Sequence, residues 1–482
     1  VLDRVYPYGD LNGNLPIRLE ELTSGEFLVL AAPPSDYAFR HAMIQDVAYT
    51  SLPHARRRAL HRDIAYMFEG SGDEEVPERL EFVALHFYRG RVWDKALPYL
   101  LQAGEKTQRE YANEAAIAHF RRALRAISEL PDSAVDDQLE AYEGVSQVLT
   151  LLGRYDEALE SLEEGWDLVD GQPGSSDKDL RLAQLCRRMA EVYDPKGDYT
   201  AAFEWLERGL SIAGIEDTIE GAQLRRSGAA VLYRQGENSL AGEWCRISLD
   251  IAESLGDEEV LAQSNYSMGA ILVRQGDFAG AVEHCQRSVS LYEKLGNLLG
   301  QSQAYNNLAL AYDMQGDWGG AARYYRAAND ILERIGYAEG QAMTATNLGE
   351  IFLLQGELDA AIEQYRRALG VVDRLGHPYG MALLNMNLGA VYARGERWKD
   401  ASDHLGRSLS LFHEIGSEEF LAELYRHWAE VALGRGEIDQ ALEHAQQSLD
   451  HVQAQGVELE EGPTRRVLGR SWLQSGELDR AK

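Results

Sequence analysis

The sequence predicts an all-α protein built as a right-handed α-solenoid of helix pairs, and three observations predict it. A Gly, an acidic residue and an Ala five positions after the Gly recur every 40 residues over most of the chain. A large apolar residue and a small residue stand eight and seven positions before the Gly, and apolar residues follow it at helical spacing. Self-similarity at this period is typical of solenoids, in which each unit buries its apolar face against its neighbours.

The recurring Gly marks the turn inside each helix pair, because a tight turn between helices needs a residue that adopts a positive φ. In two adjacent repeats the small residue before the turn is Gly349 or Gly389, which lets two helices approach closely. After the turn, Trp318, Ala321 and Tyr325 show the spacing of an amphipathic helix. The turn residues in phase are Gly236, Gly276, Gly316, Gly356, Gly436 and Gly476, followed by Ala481 in the last case, and Glu396 is an in-phase variant.

This pattern resembles the tetratricopeptide repeat (TPR), in the longer variety of about 40 residues found in kinesin light chains and bacterial signalling ATPases. Upstream, it continues at Gly197 and Gly153, and more loosely at Ala112 and Arg91. The resemblance implies two domains. Residues 80–482 would form a TPR-like α-solenoid of about ten repeats, the last incomplete, and residues 1–79 would form a different segment.

The first 79 residues predict two short strands, over 26–30 and 37–40, around a turn-rich connector at 31–36. Two helices should follow, over about 41–51 and 56–69. The string from Tyr37 to Ala65 resembles a stretch of bacterial STAND-type signal-transduction ATPases. In that family, it lies where a winged-helix segment gives way to the repeat array, which implies a small α/β winged-helix-like remnant here.

No Gly-x-x-x-x-Gly-Lys-Ser/Thr loop occurs in the sequence, so the ATP-binding element of such a family is missing from it. The chain starts at Val1 without Met and stops at Lys482, within the predicted second helix of a repeat. We therefore expect a fragment of a longer protein, with any ATPase or cyclase domain upstream.

Composition restricts the function classes. The formal net charge of −31 disfavours nucleic-acid binding, because such a surface repels phosphate backbones. Three cysteines indicate a reducing compartment, and no apolar run is long enough for a membrane span. We expect a cytoplasmic protein in which Cys245 and Cys285 are buried free thiols.

Candidate binding residues lie on the first helix of each pair, which lines the concave groove of TPR arrays. Three successive repeats place Asn at the ninth position before the turn, at Asn307, Asn347 and Asn387, with Asn306 alongside. Each carboxamide offers a donor and an acceptor to a main-chain amide, so this ladder suits an extended peptide. The alternative is that these Asn residues only pack one repeat against the next.

Apolar and basic side chains flank the predicted Asn ladder. The same positional count places Tyr266, Met314, Met343 and Met386 in an adaptable apolar groove. The count also predicts that a set of cationic residues faces the groove, where they could bind carboxylates or phosphates of a ligand. The alternative is that they pair with neighbouring Glu residues. That set is Arg187, Arg188, Arg226, Arg234, Arg274, Arg394, Arg426 and His427.

No catalytic, cofactor or metal site is predicted. His61-Arg62-Asp63 has the letters of a kinase catalytic loop, but Phe68 stands where that loop requires Asn. His284, His404 and His444 share one helix position, yet successive repeats separate them by about 10 Å, too far for one metal ion.

The predicted function is therefore binding. By resemblance, the array would be the non-enzymatic sensor or scaffold arm of a bacterial signalling ATPase, holding a protein or peptide ligand, or the protein's own upstream domains, in the groove. Two alternatives stay open. The array could sense a small molecule, as in maltotriose-responsive transcription activators, or it could serve as an oligomerisation arm without a ligand.

Overall fold

A computed structural model describes residues 15–30, 37–69, 76–109, 112–130, 135–455, 458–477 and 479–480. These residues are almost entirely helical and fall into two compact units, divided between Glu216 and Asp217. We call them unit 1 and unit 2. The predicted connector at 31–36 and the repeat residue Ala481 lie outside the described residues.

Unit 1 begins with a helix, a hairpin and a helical array. Strands β1 and β2 pair antiparallel, with Leu28 opposite Phe39 and Leu30 opposite Tyr37, which confirms the two predicted strands. The two predicted helices that follow are also confirmed, although the second begins at His54, directly after Pro53. The elements are α1 (Leu15–Ser24), β1 (Leu28–Leu30), β2 (Tyr37–Phe39), α2 (Ala42–Ser51), α3 (His54–Glu69), α4 (Val76–Gly90), α5 (Trp93–Arg109), α6 (Asn113–Ile127), α7 (Val135–Leu151), α8 (Tyr155–Asp170), α9 (Ser176–Lys196) and α10 (Tyr199–Leu210).

Unit 2 consists of helix pairs, with a first and a second helix in each, as the 40-residue period predicts. Within each pair the two helices pack along their length, and each second helix also packs against the first helix of the next pair. The helices are α11 (Ile219–Arg234), α12 (Asn238–Leu255), α13 (Glu258–Gln275), α14 (Phe278–Leu295), α15 (Leu298–Met314), α16 (Trp318–Ile335), α17 (Ala338–Gln355), α18 (Leu358–Arg374), α19 (Pro378–Arg394), α20 (Trp398–Ile415), α21 (Leu421–Arg435), α22 (Ile438–Gln455) and α23 (Glu458–Ser475).

Left-handed turns recur at half the sequence period. The predicted turn glycines have positive φ, as at Gly276 (φ 81°) and Gly356 (φ 78°). A second series, which the sequence analysis did not identify, ends the second helices. Its members are Gly256, Gly296, Gly336, Gly376 and Gly416. In the described chain only Glu26, Arg91 and Glu396 adopt a positive φ without being Gly.

The small residue before each turn is required by close helix packing, as predicted. A Cβ atom added at Gly349 would lie 2.6 Å from the Tyr365 ring, and one at Gly389 would lie 2.5 Å from Leu405. Real Cβ contacts of this length do not occur, so a larger residue would force the helices of the pair apart.

The predicted burial of the two thiols is confirmed. Cys245 and Cys285 are 0% exposed and form no disulfide, and burial raises the pKa of each thiol to about 12. Both therefore behave as small apolar residues of the core.

None of the helices in the described part of the chain combines the length and the apolar character needed to cross a bilayer.

Candidate functional site

The first helices of the successive pairs of unit 2 share one face, which we call the inner face. In addition to their contacts with second helices, α11 packs on α13, α13 on α15, α19 on α21 and α21 on α23. At these four junctions the first helices pack directly on one another, whereas α15, α17 and α19 pack mainly through the second helices between them. The Asn residues predicted to bind a peptide all lie on this set of helices.

The Asn side chains of successive repeats come within hydrogen-bonding distance. Asn347 Nδ2 on α17 donates to Asn306 Oδ1 on α15 at 3.1 Å. Asn347, Asn306 and Asn387 are half-buried, whereas Asn307 is only 9% exposed. The structure thus brings Asn306 and Asn347 together as part of a polar stripe, which we call the Asn stripe and which comprises Asn306, Asn307, Asn347 and Asn387.

Asn307 holds a buried donor that the described protein does not use. Its Nδ2 atom reaches no acceptor with hydrogen-bonding geometry. Burial raises the pKa of the Tyr266 phenol, and the Asn307 side chain, which approaches this hydroxyl without full hydrogen-bonding geometry, opposes that rise. An unpaired donor inside a protein costs about 1–3 kcal/mol, but this Nδ2 atom is buried, so the half-buried Asn306, Asn347 and Asn387 are the members of the stripe that a ligand can reach.

A nearby Asn has a structural role instead. Asn385 is buried, donates from Nδ2 to the Met381 carbonyl at 2.8 Å and bonds through Oδ1 to His404 Nδ1 at 2.8 Å. Asn265 and His284 repeat this arrangement three repeats earlier. The shared histidine position therefore fixes a buried Asn in these two repeats.

The predicted apolar groove residues separate into two groups. Met314 and Met343 are 52% and 49% exposed, so they offer an apolar surface beside the Asn stripe. Met386 is 2% exposed and packs in the core of unit 2. It cannot contact a ligand, because α19 turns this position toward its neighbours.

Carboxylates also occupy the inner face, and the sequence analysis did not select them. Burial raises the pKa of Glu350, although its carboxylate reaches solvent, and the nearby Asp313 and Glu423 add to the rise. Burial likewise raises the pKa of Asp313. Asp313 on α15 and Glu350 on α17 repel one another, whereas Glu423 on α21 is paired with Arg426 and His427. Their spacing before the turn is the helical one that placed the Asn residues, and it could have identified them.

Several predicted cationic residues are compensated inside the protein. In unit 1, Arg187 pairs with Glu191 at 3.0 Å, and Arg188 pairs with Glu143 at 3.0 Å and with Glu191 at 2.9 Å. In unit 2, Arg274 lies over the Tyr233 ring at 4.8 Å and donates to its hydroxyl. Arg226 is half-buried, while Arg234 and Arg394 are exposed.

Arg426 and His427 belong to a buried ionic cluster, which we call the Arg426 cluster. Arg426 lies 2.7 Å from Glu460 and 3.4 Å from each of Glu423 and Glu430. His427 lies 3.0 Å from Glu430 and 3.4 Å from Glu423. Burial alone would lower the pKa of His427, but its hydrogen bonds to the two carboxylates raise it. Three carboxylates thus hold two cationic side chains, which leaves neither for an anionic ligand.

Unit 2 also contains a pocket between second helices. It has a volume of about 880 Å³ and is lined mainly by α18 and α20, and its lining includes two arginines, Arg366 and Arg407, and two aspartates, Asp373 and Asp403. The Ser402 hydroxyl in its wall is buried without a hydrogen-bond partner.

Comparison with known proteins supports the architecture. Residues 268–482 match a family model described as the MalT-like TPR region. A search of curated proteins gave no match.

Among solved structures, the chain is similar to a STAND protein with a tetratricopeptide repeat sensor from Pyrococcus horikoshii, at 15% identity and a TM-score of 0.50, over 88% of this chain and 61% of that one. It is also similar to a Rap protein complexed with competence and sporulation factor, at 14% identity and a TM-score of 0.49, over 80% and 100%. A third is aspartyl phosphate phosphatase F from Bacillus subtilis, at 14% identity and a TM-score of 0.47, over 75% and 94%. The predicted array of TPR-type helix pairs is confirmed.

Proposed function

We propose that the inner face of unit 2, an array of TPR-type helix pairs, binds an extended peptide segment of a protein partner along the Asn stripe. The observation that carries this proposal is the hydrogen-bonded Asn306–Asn347 pair, whose half-buried carboxamides join two successive first helices and keep further donors and acceptors for a ligand. A main-chain carbonyl of a peptide would accept from the Nδ2 group of Asn306 or Asn387, which are half-buried. The other carboxamides offer donors and acceptors along the same line.

The charges of the inner face suit a basic peptide. Asp313 and Glu350 are partly desolvated, and their pKa values are raised by burial. A Lys or Arg side chain of the partner would favour their ionised forms. The exposed thioethers of Met314 and Met343 provide a polarizable surface that adapts to different apolar side chains.

We further propose that this binding is regulatory and that the chain works in the cytoplasm as the sensor arm of a signalling ATPase. The match of residues 268–482 to the MalT-like TPR region supports this role. The similarity in fold to a STAND protein with a TPR sensor supports it too. In this role, the described residues bind the partner, and any ATP binding or hydrolysis belongs to a separate domain.

A small-molecule sensor is the second candidate. The pocket of about 880 Å³ between α18 and α20 lies in the size range of ligand sites, and it presents the unpaired hydroxyl of Ser402. The MalT-like family match favours this alternative as well.

The first prediction tests the peptide proposal with a displayed library of random dodecamers, selected on the intact chain. We expect the selected peptides to be rich in Lys and Arg. Their affinity, measured by calorimetry, should fall at least about 10-fold when Asn307, Asn347 and Asn387 are replaced by Ala together, because two or more hydrogen bonds are lost.

A matched control replaces Gln286 and Gln446, exposed on second helices, by Ala and should leave the affinity unchanged. Equal binding by the triple Asn variant would exclude the Asn stripe as the site. A large loss of helicity in that variant would show that these Asn residues pack the repeats. Selection of no peptide, with a metabolite retained in native mass spectra, would favour the small-molecule alternative.

A further inference from the structure

A strongly cationic pocket lies in unit 1, far along the chain from the Asn stripe. It has a volume of about 420 Å³ and is formed by α2, α3, α4 and the turn that follows α4. Four arginines line it, Arg57, Arg58, Arg89 and Arg91, together with Tyr49 and two histidines, and no acidic residue does. We call it the arginine pocket. In a chain of net charge −31, four convergent guanidinium groups are an unusual concentration of positive charge.

These guanidinium groups lack counter-ions in the described structure. Within the described residues, no carboxylate lies within 4.0 Å of the charged atoms of Arg57, Arg58, Arg89 or Arg91, although many other arginines form such pairs. Arg57 lies over the Tyr49 ring at 5.1 Å. Its Nε atom is buried and makes no hydrogen bond. Buried donors and uncompensated charges are costly unless a ligand satisfies them.

Backbone geometry supports the same conclusion independently. Arg91 has a φ of 56° in the turn between α4 and α5. Turns of this type use Gly almost everywhere else in the chain, because a side chain is strained in this conformation. Arg91 therefore places a guanidinium group in the pocket at a cost in backbone strain. Such outliers gather at ligand sites, where the side chain has a function that Gly cannot supply.

Neutral hydrogen-bonding groups complete the wall. His61 Nε2 lies 2.9 Å from the Tyr49 hydroxyl, and His61 Nδ1 lies 3.1 Å from His86 Nδ1. Burial lowers the pKa of His61, and the neighbouring Arg89 and Arg57 lower it further. Near pH 7 the His61 imidazole is thus neutral. A bound anion would oppose the field of these arginines and raise the pKa of His61.

We infer that the arginine pocket binds the phosphoryl group of a small soluble molecule. Guanidinium groups match pairs of phosphate oxygens in a fork, and four of them exceed what a single carboxylate can neutralise. A phosphate group near pH 7 carries between one and two negative charges and several acceptor oxygens. The pocket volume lies in the range of small-ligand sites. This inference concerns unit 1 and does not depend on the proposed function of the Asn stripe.

The second prediction tests this inference by calorimetry on the intact chain at low ionic strength, with pyrophosphate, inorganic phosphate and acetate as probes. Pyrophosphate should bind at least about 10-fold more tightly than acetate, which corresponds to about 1.4 kcal/mol. Binding should also shift the ring signals of His61 and raise its pKa in an NMR titration. Arg58→Ala removes an exposed side chain and should weaken pyrophosphate binding by about 10-fold without a change in melting temperature.

Arg91→Gly separates binding from folding. It relieves the strained backbone, so the melting temperature should rise by about 2 °C while pyrophosphate binding weakens. Glu396→Gly is the matched control, because Glu396 has a φ of 58° and lies outside the pocket. It should raise the melting temperature and leave pyrophosphate binding unchanged.

Three results would overturn the inference. The first is pyrophosphate binding no tighter than acetate binding, and the second is unchanged binding by both Arg58→Ala and Arg91→Gly. The third is a phosphoserine peptide that binds more tightly than pyrophosphate, which would make the ligand a modified protein.

Discussion

The Arg426 cluster of unit 2 and the arginine pocket of unit 1 both gather arginine and histidine, but they differ in what surrounds the charge. Three Glu residues hold Arg426 and His427. Four arginines of the pocket have no described carboxylate within ion-pairing distance. The sequence has 78 acidic and 47 basic residues, so carboxylates are available almost everywhere. An arginine on an inner surface is therefore weak evidence for an anion site, whereas an arginine without a carboxylate is stronger evidence.

His427 of the Arg426 cluster and His86, which lies within hydrogen-bonding distance of His61 of the arginine pocket, show the same contrast. Carboxylates raise the pKa of His427, and burial together with His61 and Arg89 lowers the pKa of His86 to about 4. The Arg426 cluster pairs its charges internally, while the arginine pocket leaves charge and hydrogen-bonding capacity open to a ligand. Three predictions can break or sharpen this comparison.

The largest expected effect is on the stability of unit 2. Arg426→Ala leaves three carboxylates around His427 without their main counter-ion, and removing one partner of a buried ion pair costs about 3–5 kcal/mol. Hydrogen exchange of α21 should report the loss. Arg58→Ala, in the arginine pocket, is the control and should cost almost nothing. Similar losses in both variants would remove the distinction between the clusters.

The second effect is that the stability of the Arg426 cluster and the stability around His86 should depend on pH in opposite ways. His427 has a raised pKa, so its contribution to stability is fully present below pH 6.5 and is lost as pH rises through its folded-state pKa. Its partners Glu423 and Glu430 have lowered pKa values, so their contribution is lost as pH falls below about 4.5. The Arg426 cluster should thus be most stabilising between about pH 4.5 and 6.5.

His86 behaves in the opposite way. Its pKa is lowered to about 4, mainly by burial, so the folded state loses stability as pH falls from 6.5 toward 4. Hydrogen exchange of α4 and α21 from pH 4 to 8 should show opposite trends. His86→Gln should reduce the acid sensitivity of α4 alone. A common trend in both helices would contradict the opposite charge environments.

The smallest effect concerns a buried hydrogen bond that unit 2 supplies to itself. Ser288 Oγ donates to the Ala262 carbonyl at 2.9 Å, and Ser248, Ser408 and Ser448 make the equivalent bond in other repeats. Ser288→Ala should reduce the free energy of unfolding by about 1 kcal/mol, measured as a lower melting temperature. Ser290→Ala, on the exposed face of the same helix, should have no effect. An equal shift for both would show that the buried bond contributes nothing.

Much of the fold could be predicted because its signals are local and repeated. Gly276 and Gly356 marked turns, and Gly349 marked a close helix contact, since backbone conformation and crowding restrict these positions to Gly. The second glycine series, including Gly296 and Gly336, was equally visible but lies outside the Gly-acidic-Ala motif. The Ser288 bond was not predictable, because it joins residues 26 positions apart on different helices.

The candidate sites were harder to predict, because they depend on partners across helices. Glu423 and Glu430 stand three positions before and four positions after Arg426, a spacing that places all three side chains on one face of a helix. That part of the cluster could therefore be predicted from the sequence. Glu460 comes from another helix and was not. The arginine pocket joins α3 to the turn at Arg91, and nothing in the local sequence indicates that these segments meet. Orphaned donors, such as those of Asn307 and Arg57, become visible only in three dimensions.

The identical Gly-Asp junctions at Gly276-Asp277 and Gly316-Asp317 allow whole helix pairs to be removed or added. Excising 277–316 would join Gly276 to Asp317 and recreate the same turn, with the same Asp cap on the following helix. Unequal recombination between repeats could therefore lengthen or shorten the chain without inventing a new connection. The length of the inner face can thus change during evolution in steps of one helix pair, while the side chains of each remaining repeat stay the same.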